Sequence, residues 1–191
     1  MTRIRKAGAS HGAVQVQNAE HFQDVLASTA DAVRSNEDLS AAIPITFTID
    51  AQPDIPRTLT WSFDSHLQIT AFTFTITGVG ADGVSRSESF TEASGWTGET
   101  TYAYISITSI IMSARTGTGV GDTMDIGRGS KIGLANTISA TDNVFKVKKN
   151  NAHYAAASYT VSATYSTVDV STGGAIVGGD DFTIWYKSLN S

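Results

Sequence analysis

The sequence predicts an all-β fold: an antiparallel β-sandwich or jelly-roll-like barrel with an N-terminal arm and one short helix. Three observations predict it. Apolar and hydroxyl residues alternate in runs such as Ile45-Thr46-Phe47-Thr48-Ile49 and Leu59-Thr60-Trp61-Ser62-Phe63. A pleated strand sends successive side chains to opposite faces, so these runs turn apolar groups inward and hydroxyls outward. Glycine-rich turns separate the runs. Finally, 25 threonines and 21 serines stand where charge would otherwise dress the surface, and only 16% of the 191 residues are charged. Threonine branches at Cβ and suits a strand.

Taken in order, residues 1–17 read as an extended arm with a basic tip of Arg3, Arg5 and Lys6. Phe22, Val25, Leu26, Thr29 and Val33 then fall at i, i+3, i+4, i+7 and i+11, the stripe of a short amphipathic helix between Glu20 and Arg34. Asn18 is its expected N-cap. A helix this short needs something to dock on. The chain therefore divides into an arm and helix, residues 1–43, and a β body, residues 44–191.

In the body, strands are expected at 44–50, 57–63, 67–77, 84–91, 99–112, 122–126, 143–149, 158–170 and 181–187. Asp82-Gly83 marks a hairpin. Two long strands change phase, one between Ala71 and Phe72 and the other between Tyr165 and Val168, which predicts bulges. Trp61, Phe63, Phe72, Phe74, Phe90, Tyr102, Tyr104, Ile105, Ile107, Phe145, Phe182 and Ile184 are the expected core. Trp96 sits in a loop between glycines, where its ring caps the core or meets a partner.

A net charge of -5 gives no global attraction to nucleic acid or to an anionic membrane. The absence of cysteine excludes disulfides, thiolate metal sites and thiol nucleophiles. The basic tip leads into Ala7-Gly8-Ala9-Ser10, not an apolar signal core. The expectation is a soluble protein made in a host cytoplasm that leaves by lysis or within a particle.

No catalytic grouping emerges. His11, His21, His66 and His153 are not at metal-ligand spacing, and Ser130 has no nameable base. Gly117-Thr118-Gly119-Val120-Gly121 lacks the lysine of a phosphate loop and reads as a strand connection. Asp122, Asp125, Asp180 and Asp181 lie near turns but match no calcium motif. The expectation is a non-enzymatic protein with no cofactor and no metal.

One succession of motifs adds to this reading. Ile55-Pro56-Arg57-Thr58-Leu59-Thr60 precedes Phe72-Thr73-Phe74-Thr75-Ile76-Thr77-Gly78 and Ser85-Arg86-Ser87-Glu88-Ser89-Phe90. Ser106-Ile107-Thr108-Ser109-Ile110 and Gly121-Asp122-Thr123-Met124-Asp125-Ile126-Gly127-Arg128-Gly129-Ser130-Lys131-Ile132-Gly133-Leu134 follow, and Asp181-Phe182-Thr183-Ile184-Trp185-Tyr186 closes the series. This order resembles a β-domain of virion structural proteins of tailed bacteriophages, over about residues 55–187. The resemblance implies a capsid decoration or cement protein, or a related head or tail component, located in the virion. Its implied partners are a major capsid protein or other virion subunits, with a homo-oligomer expected and a trimer favoured. Membrane is not a partner on this reading, and nucleic acid is not an expected one. Arg3, Arg5, Lys6, Phe22, Val25, Leu26 and Trp96 are the candidate partner-binding residues. The alternative is a receptor- or carbohydrate-binding module of a fibre or spike, with Trp96, Tyr102 and Tyr104 as the nearest candidate aromatics.

Overall fold

A computed structural model describes residues 15–93 and 95–189. Its strands are β1 (Gln15–Val25), β2 (Arg34–Asp38), β3 (Ile45–Thr46), β4 (Arg57–Ser65), β5 (Ala71–Gly80), β6 (Ser85–Glu92) and β7 (Thr97–Glu99). They continue as β8 (Tyr104–Thr116), β9 (Thr123–Gly133), β10 (Val144–Lys149), β11 (Ala152–Tyr154), β12 (Thr160–Ser162), β13 (Thr167–Asp169) and β14 (Asp180–Leu189). A four-stranded sheet runs β1-β14-β10-β11, and a ten-stranded one runs β12-β13-β9-β4-β8-β5-β6 with β2 on β9, β3 on β8 and β7 on β4. The fold is all-β and sandwich-like, without the closure of a barrel.

The long sheet is pinched. β4 and β8 share one pair, Arg57 opposite Tyr104, so the β4–β9 leaf and the β8–β5–β6 leaf splay from that point. Between the leaves lies an aromatic core of Leu59, Trp61 and Phe63 from β4, Phe72, Phe74 and Ile76 from β5, and Ile110 and Met112 from β8. Trp61 meets Phe72 and Phe74 edge-on at 5.6 and 5.4 Å, the offset geometry that ring quadrupoles favour. A second core is mostly aliphatic. It packs Val147, Phe182, Ile184 and Tyr186 of the four-stranded sheet against Ile132, Leu134, Val168 and Val170. β9 serves both cores, with Met124 and Ile126 in the first and Ile132 in the second.

The helix expected between Glu20 and Arg34 is absent. Residues 15–25 form β1, paired antiparallel with β14, and residues 34–38 form β2 on β9. Asn18 caps no helix; its side-chain amide donates to Ser188 Oγ at 2.8 Å and to the Val16 carbonyl at 3.2 Å. Val25 and Val33, read as one stripe, are both fully buried but in different cores. Pairing with a strand at the far end of the chain overrides the local pattern, because it satisfies a whole row of backbone groups. Residues 1–14, with Arg3, Arg5 and Lys6, lie outside the described residues.

Other expectations shift in detail. The Asp82-Gly83 hairpin forms, with the Gly80 N–H donating to the Val84 carbonyl at 2.8 Å and Gly83 at φ 77°. The expected strand 122–126 extends to Gly133, so Gly127–Lys131 is strand interior and not a turn. Gly127 is needed there because a Cβ would lie 2.1 Å from the Thr29 carbonyl oxygen. The phase change at 158–170 is a hairpin, β12 to β13, rather than a bulge. Phe145 and Ile105, expected in the core, are 47% and 46% exposed. Phe145 is turned outward where the β10–β14 register shifts between Val144 and Lys146.

Candidate functional site

The outer face of the β8–β5–β6 leaf carries the sharpest pattern. Thr73, Thr75 and Thr77 on β5 stand opposite Thr91, Ser89 and Ser87 on β6. Their hydroxyls pair across the strands at 3.0, 2.7 and 3.2 Å. On the other side the same three threonines meet Ala114, Ile111 and Ser109 of β8. These rows contain no charged side chain. Each hydroxyl pair satisfies one donor and leaves acceptor capacity outward. The surface is thus uncharged, chemically repetitive and already hydrogen-bonded to itself.

The alternate residues of these strands anchor that face from below. Phe72, Phe74 and Ile76 are buried in the aromatic core, with Phe90 packed against it. Glu88, on the inner side of β6, accepts from the Thr101 and Tyr102 N–H groups at 2.7 and 3.2 Å and from the Tyr104 hydroxyl at 3.0 Å. Burial, reinforced by the Glu88 charge, pushes the Tyr104 phenol well above its usual range, so it remains a donor. In the long sheet β6 is an edge strand, bonded on one side to β5. Inward-pointing charge of this kind is a known guard on such edges.

At the pinch between the cores, the Arg57 side chain is fully buried. It donates to the Leu26 carbonyl at 3.0 Å and to Asp54 Oδ2 at 3.2 Å. Asp54 also receives the Leu26 N–H at 2.7 Å, and Arg128 lies 3.8 Å from its other oxygen. Burial pushes the Arg57 guanidinium down to about 10, the Asp54 charge opposes this, and the Arg128 charge adds to it. The pair of arginines thereby ties the β1–β2 connection to the sheet junction. Arg57 falls in phase with Leu59, Trp61 and Phe63, and an arginine inside an apolar alternation is the sequence signal for this site.

Of the partner-binding residues expected from sequence, those among the described residues, Phe22, Val25, Leu26 and Trp96, do not converge. Phe22 is half-buried against the second core, Val25 is fully buried in it, and Leu26 is 45% exposed. Trp96 lies half-buried over the aromatic core, edge-on to Phe63 at 5.3 Å and stacked on the His66 ring at 4.1 Å. Tyr104 is buried. Tyr102 instead meets Tyr165 edge-on at 5.3 Å beneath the Arg86 guanidinium, 4.3 Å from its ring centre. Those three residues, with Asp82, line a cavity of about 140 Å³. A wider cleft of about 540 Å³ runs between Ser28–Ala30, Thr60–Ser62 and Thr97–Glu99.

The loop carboxylates act as backbone anchors. Asp122, fully buried, accepts the N–H groups of Leu67, Gln68 and Ile69 at 2.8, 2.9 and 2.8 Å. Asp180 accepts from Val177 N–H, Asn150 Nδ2 and Lys149 Nζ at 2.9, 3.0 and 2.9 Å. Among the described residues, no group of three histidine or acidic side chains is placed to hold a metal ion. Ser130 contacts Asp169 at 3.4 Å and lies in the middle of β9. Comparison with protein-family models, with characterised proteins and with solved structures gave no match.

Proposed function

We propose that this chain is a non-enzymatic structural protein of a virion, a decoration or cement subunit that packs against neighbouring subunits. The hydroxyl face of β5, β6 and β8 carries the reading. A surface of paired hydroxyls and methyls loses little when another protein covers it, because it holds no charge to desolvate and one donor of each hydroxyl pair is already engaged. The order of motifs that resembles phage virion proteins runs through these same strands. Residues 15–25 and 34–38 are paired within the body, so on this reading they are not free to dock on a neighbouring subunit, and Arg3, Arg5 and Lys6 lie outside the described residues. Its partners on this reading are a capsid protein or other virion subunits, and further copies of itself.

The test places charge on the face. Thr75→Glu alone should keep a cooperative folding transition, at a cost of about 1 kcal/mol or less, and abolish incorporation into particles. Normal incorporation of that folded variant would overturn the reading. The second reading, a glycan-binding module of a fibre, draws on the Tyr102–Tyr165 cavity with its Arg86 and Asp82. Glycan-array binding lost in Tyr102→Ala or Trp96→Ala, with folding retained, would favour it.

A further inference from the structure

Four strands end the two sheets: β1 and β11 in the shorter one, β6 and β12 in the longer. An end strand offers a row of backbone N–H and C=O groups to any strand that reaches it, and native folds guard such rows. β11 and β12 have only three residues each. β6 has eight and carries Arg86, Glu88 and Glu92. β1 is the longest of the four at 11 residues, and it holds no lysine, arginine or proline. Among the described residues, only β14 pairs with it, and no backbone-to-backbone hydrogen bond reaches residues 15–24 from outside that ladder. Alternate residues therefore turn their N–H and C=O groups away from β14.

The side chains along this edge keep a strict alternation. Val16, Asn18, Glu20 and Phe22 are half-buried, whereas Gln17, Ala19 and His21 are exposed. Phe22 packs against the second core. Glu20, on the same side of the pleat, accepts the Tyr186 hydroxyl and the Ala135 N–H. The regular edge stops after Phe22, where the register with β14 shifts before Val25 and Asp24 takes φ 50°. Val16–Phe22 is thus a straight, weakly charged edge with Ala19 at its centre.

We propose that β1 pairs antiparallel with β1 of a second copy, about a two-fold axis at Ala19. Val16 then opposes Phe22 of the second copy, Gln17 opposes His21, Asn18 opposes Glu20, and Ala19 opposes itself. Directly opposed residues share a face, so half-buried positions meet half-buried ones and exposed positions meet exposed ones. The one carboxylate in the stretch meets an amide, and no like charges stand opposite each other. A second copy supplies this match by symmetry, and the contact is isologous and closed. It joins the two four-stranded sheets into one continuous sheet. The inference goes beyond the assembly reading, since β1 and the hydroxyl face belong to different sheets.

Sedimentation and cross-linking of the full chain test it. Wild type should sediment as a dimer. Ala19→Lys and Ala19→Glu each place like charges on the axis at an exposed position, and each should weaken the dimer by about tenfold or more. An equal mixture of the two variants should restore it, because lysine then faces glutamate. Since the chain has no cysteine, single replacements report the register without any change of charge. Ala19→Cys should form a disulfide-linked dimer on mild oxidation, because directly opposed strand positions lie within disulfide reach. Gln23→Cys should not, because the two copies of that position stand roughly 25 Å apart along the paired strands. A wild type that stays monomeric at high concentration overturns the proposal. So does a dimer that survives both charge variants, a mixture that fails to re-form it, or equal cross-linking at positions 19 and 23. Particle incorporation of Ala19→Lys separates the two ideas: incorporation of the monomeric variant leaves the assembly reading standing, and its loss in a folded variant makes the dimer the unit that assembles.

Discussion

The two outer sheet faces are built by one rule and finished differently. On the β5–β6 leaf the outward positions are Thr and Ser, paired across the strands at 2.7–3.2 Å. On the four-stranded sheet the outward positions include Lys146, Lys148, Trp185 and Lys187. Both sheets bury the alternate residues, Phe72, Phe74 and Ile76 in one case and Phe182, Ile184 and Tyr186 in the other. The inner sets therefore fix the architecture, and the outer sets are free to differ. A self-satisfied face suits close packing, whereas a charged face must be desolvated before it is covered.

The comparison breaks first at the cores. Phe74→Ala, behind the hydroxyl face, removes a fully buried ring that contacts Trp61 and Phe90, and should cost about 3–5 kcal/mol in urea unfolding. Ile184→Ala, behind the lysine face, should cost about 2–5 kcal/mol. Because β9 runs through both cores, each variant should still unfold in one transition by fluorescence and by circular dichroism.

A second test uses two carboxylates of opposite sign. Burial alone would raise Asp180, but hydrogen bonds from Lys149, Val177 and Asn150 hold it below the usual carboxylate range. Its stabilisation is present above the unfolded-state pKa and is lost as pH falls through the folded-state value. Burial and the charges of Asp64 and Asp31 hold Asp125 above that range, against the Asn36 N–H bond. Its contribution is present at acid pH and lost as pH rises through the folded-state value. Asp180→Asn should therefore lower Tm at pH 7, by about 1–3 kcal/mol of stability, and matter little in acid. Asp125→Asn should raise Tm at pH 7 and lose that gain in acid. The same sign of change for both would refute the contrast.

The smallest effect belongs to the hydroxyl rows. Thr75→Val deletes one cross-strand hydroxyl pair while keeping the β-branch, and should cost only about 0.2–1 kcal/mol. A larger loss would mean that these rows hold the fold together and are not spare surface.

Sequence pattern revealed what depends on neighbours along the chain. The Thr73-x-Thr75-x-Thr77 and Ser85-x-Ser87-x-Ser89 alternations, the hairpin between them and the aromatic inner set were all legible, since strand periodicity is local. The β1–β14 pairing was not, because its partners lie more than 150 residues apart, and a chance helical spacing of Phe22, Val25 and Val33 masked it. Likewise Lys146 and Lys148 show their alternation, but only the fold brings Trp185 and Lys187 beside them. Gly127 and Gly129 read as a turn because their reason is close packing from outside the strand, by Thr29 and Ala30 in one case and by Thr58 and Glu99 in the other.

The central claim is that the hydroxyl face meets neighbouring subunits, and hydrogen exchange on particle-bound protein tests it most directly. Amides of Ala71–Gly80 and Ser85–Glu92 should gain protection on particles relative to the free chain, most at the open edge of β6. Unchanged exchange along β5 and β6 in fully incorporated protein would contradict the account.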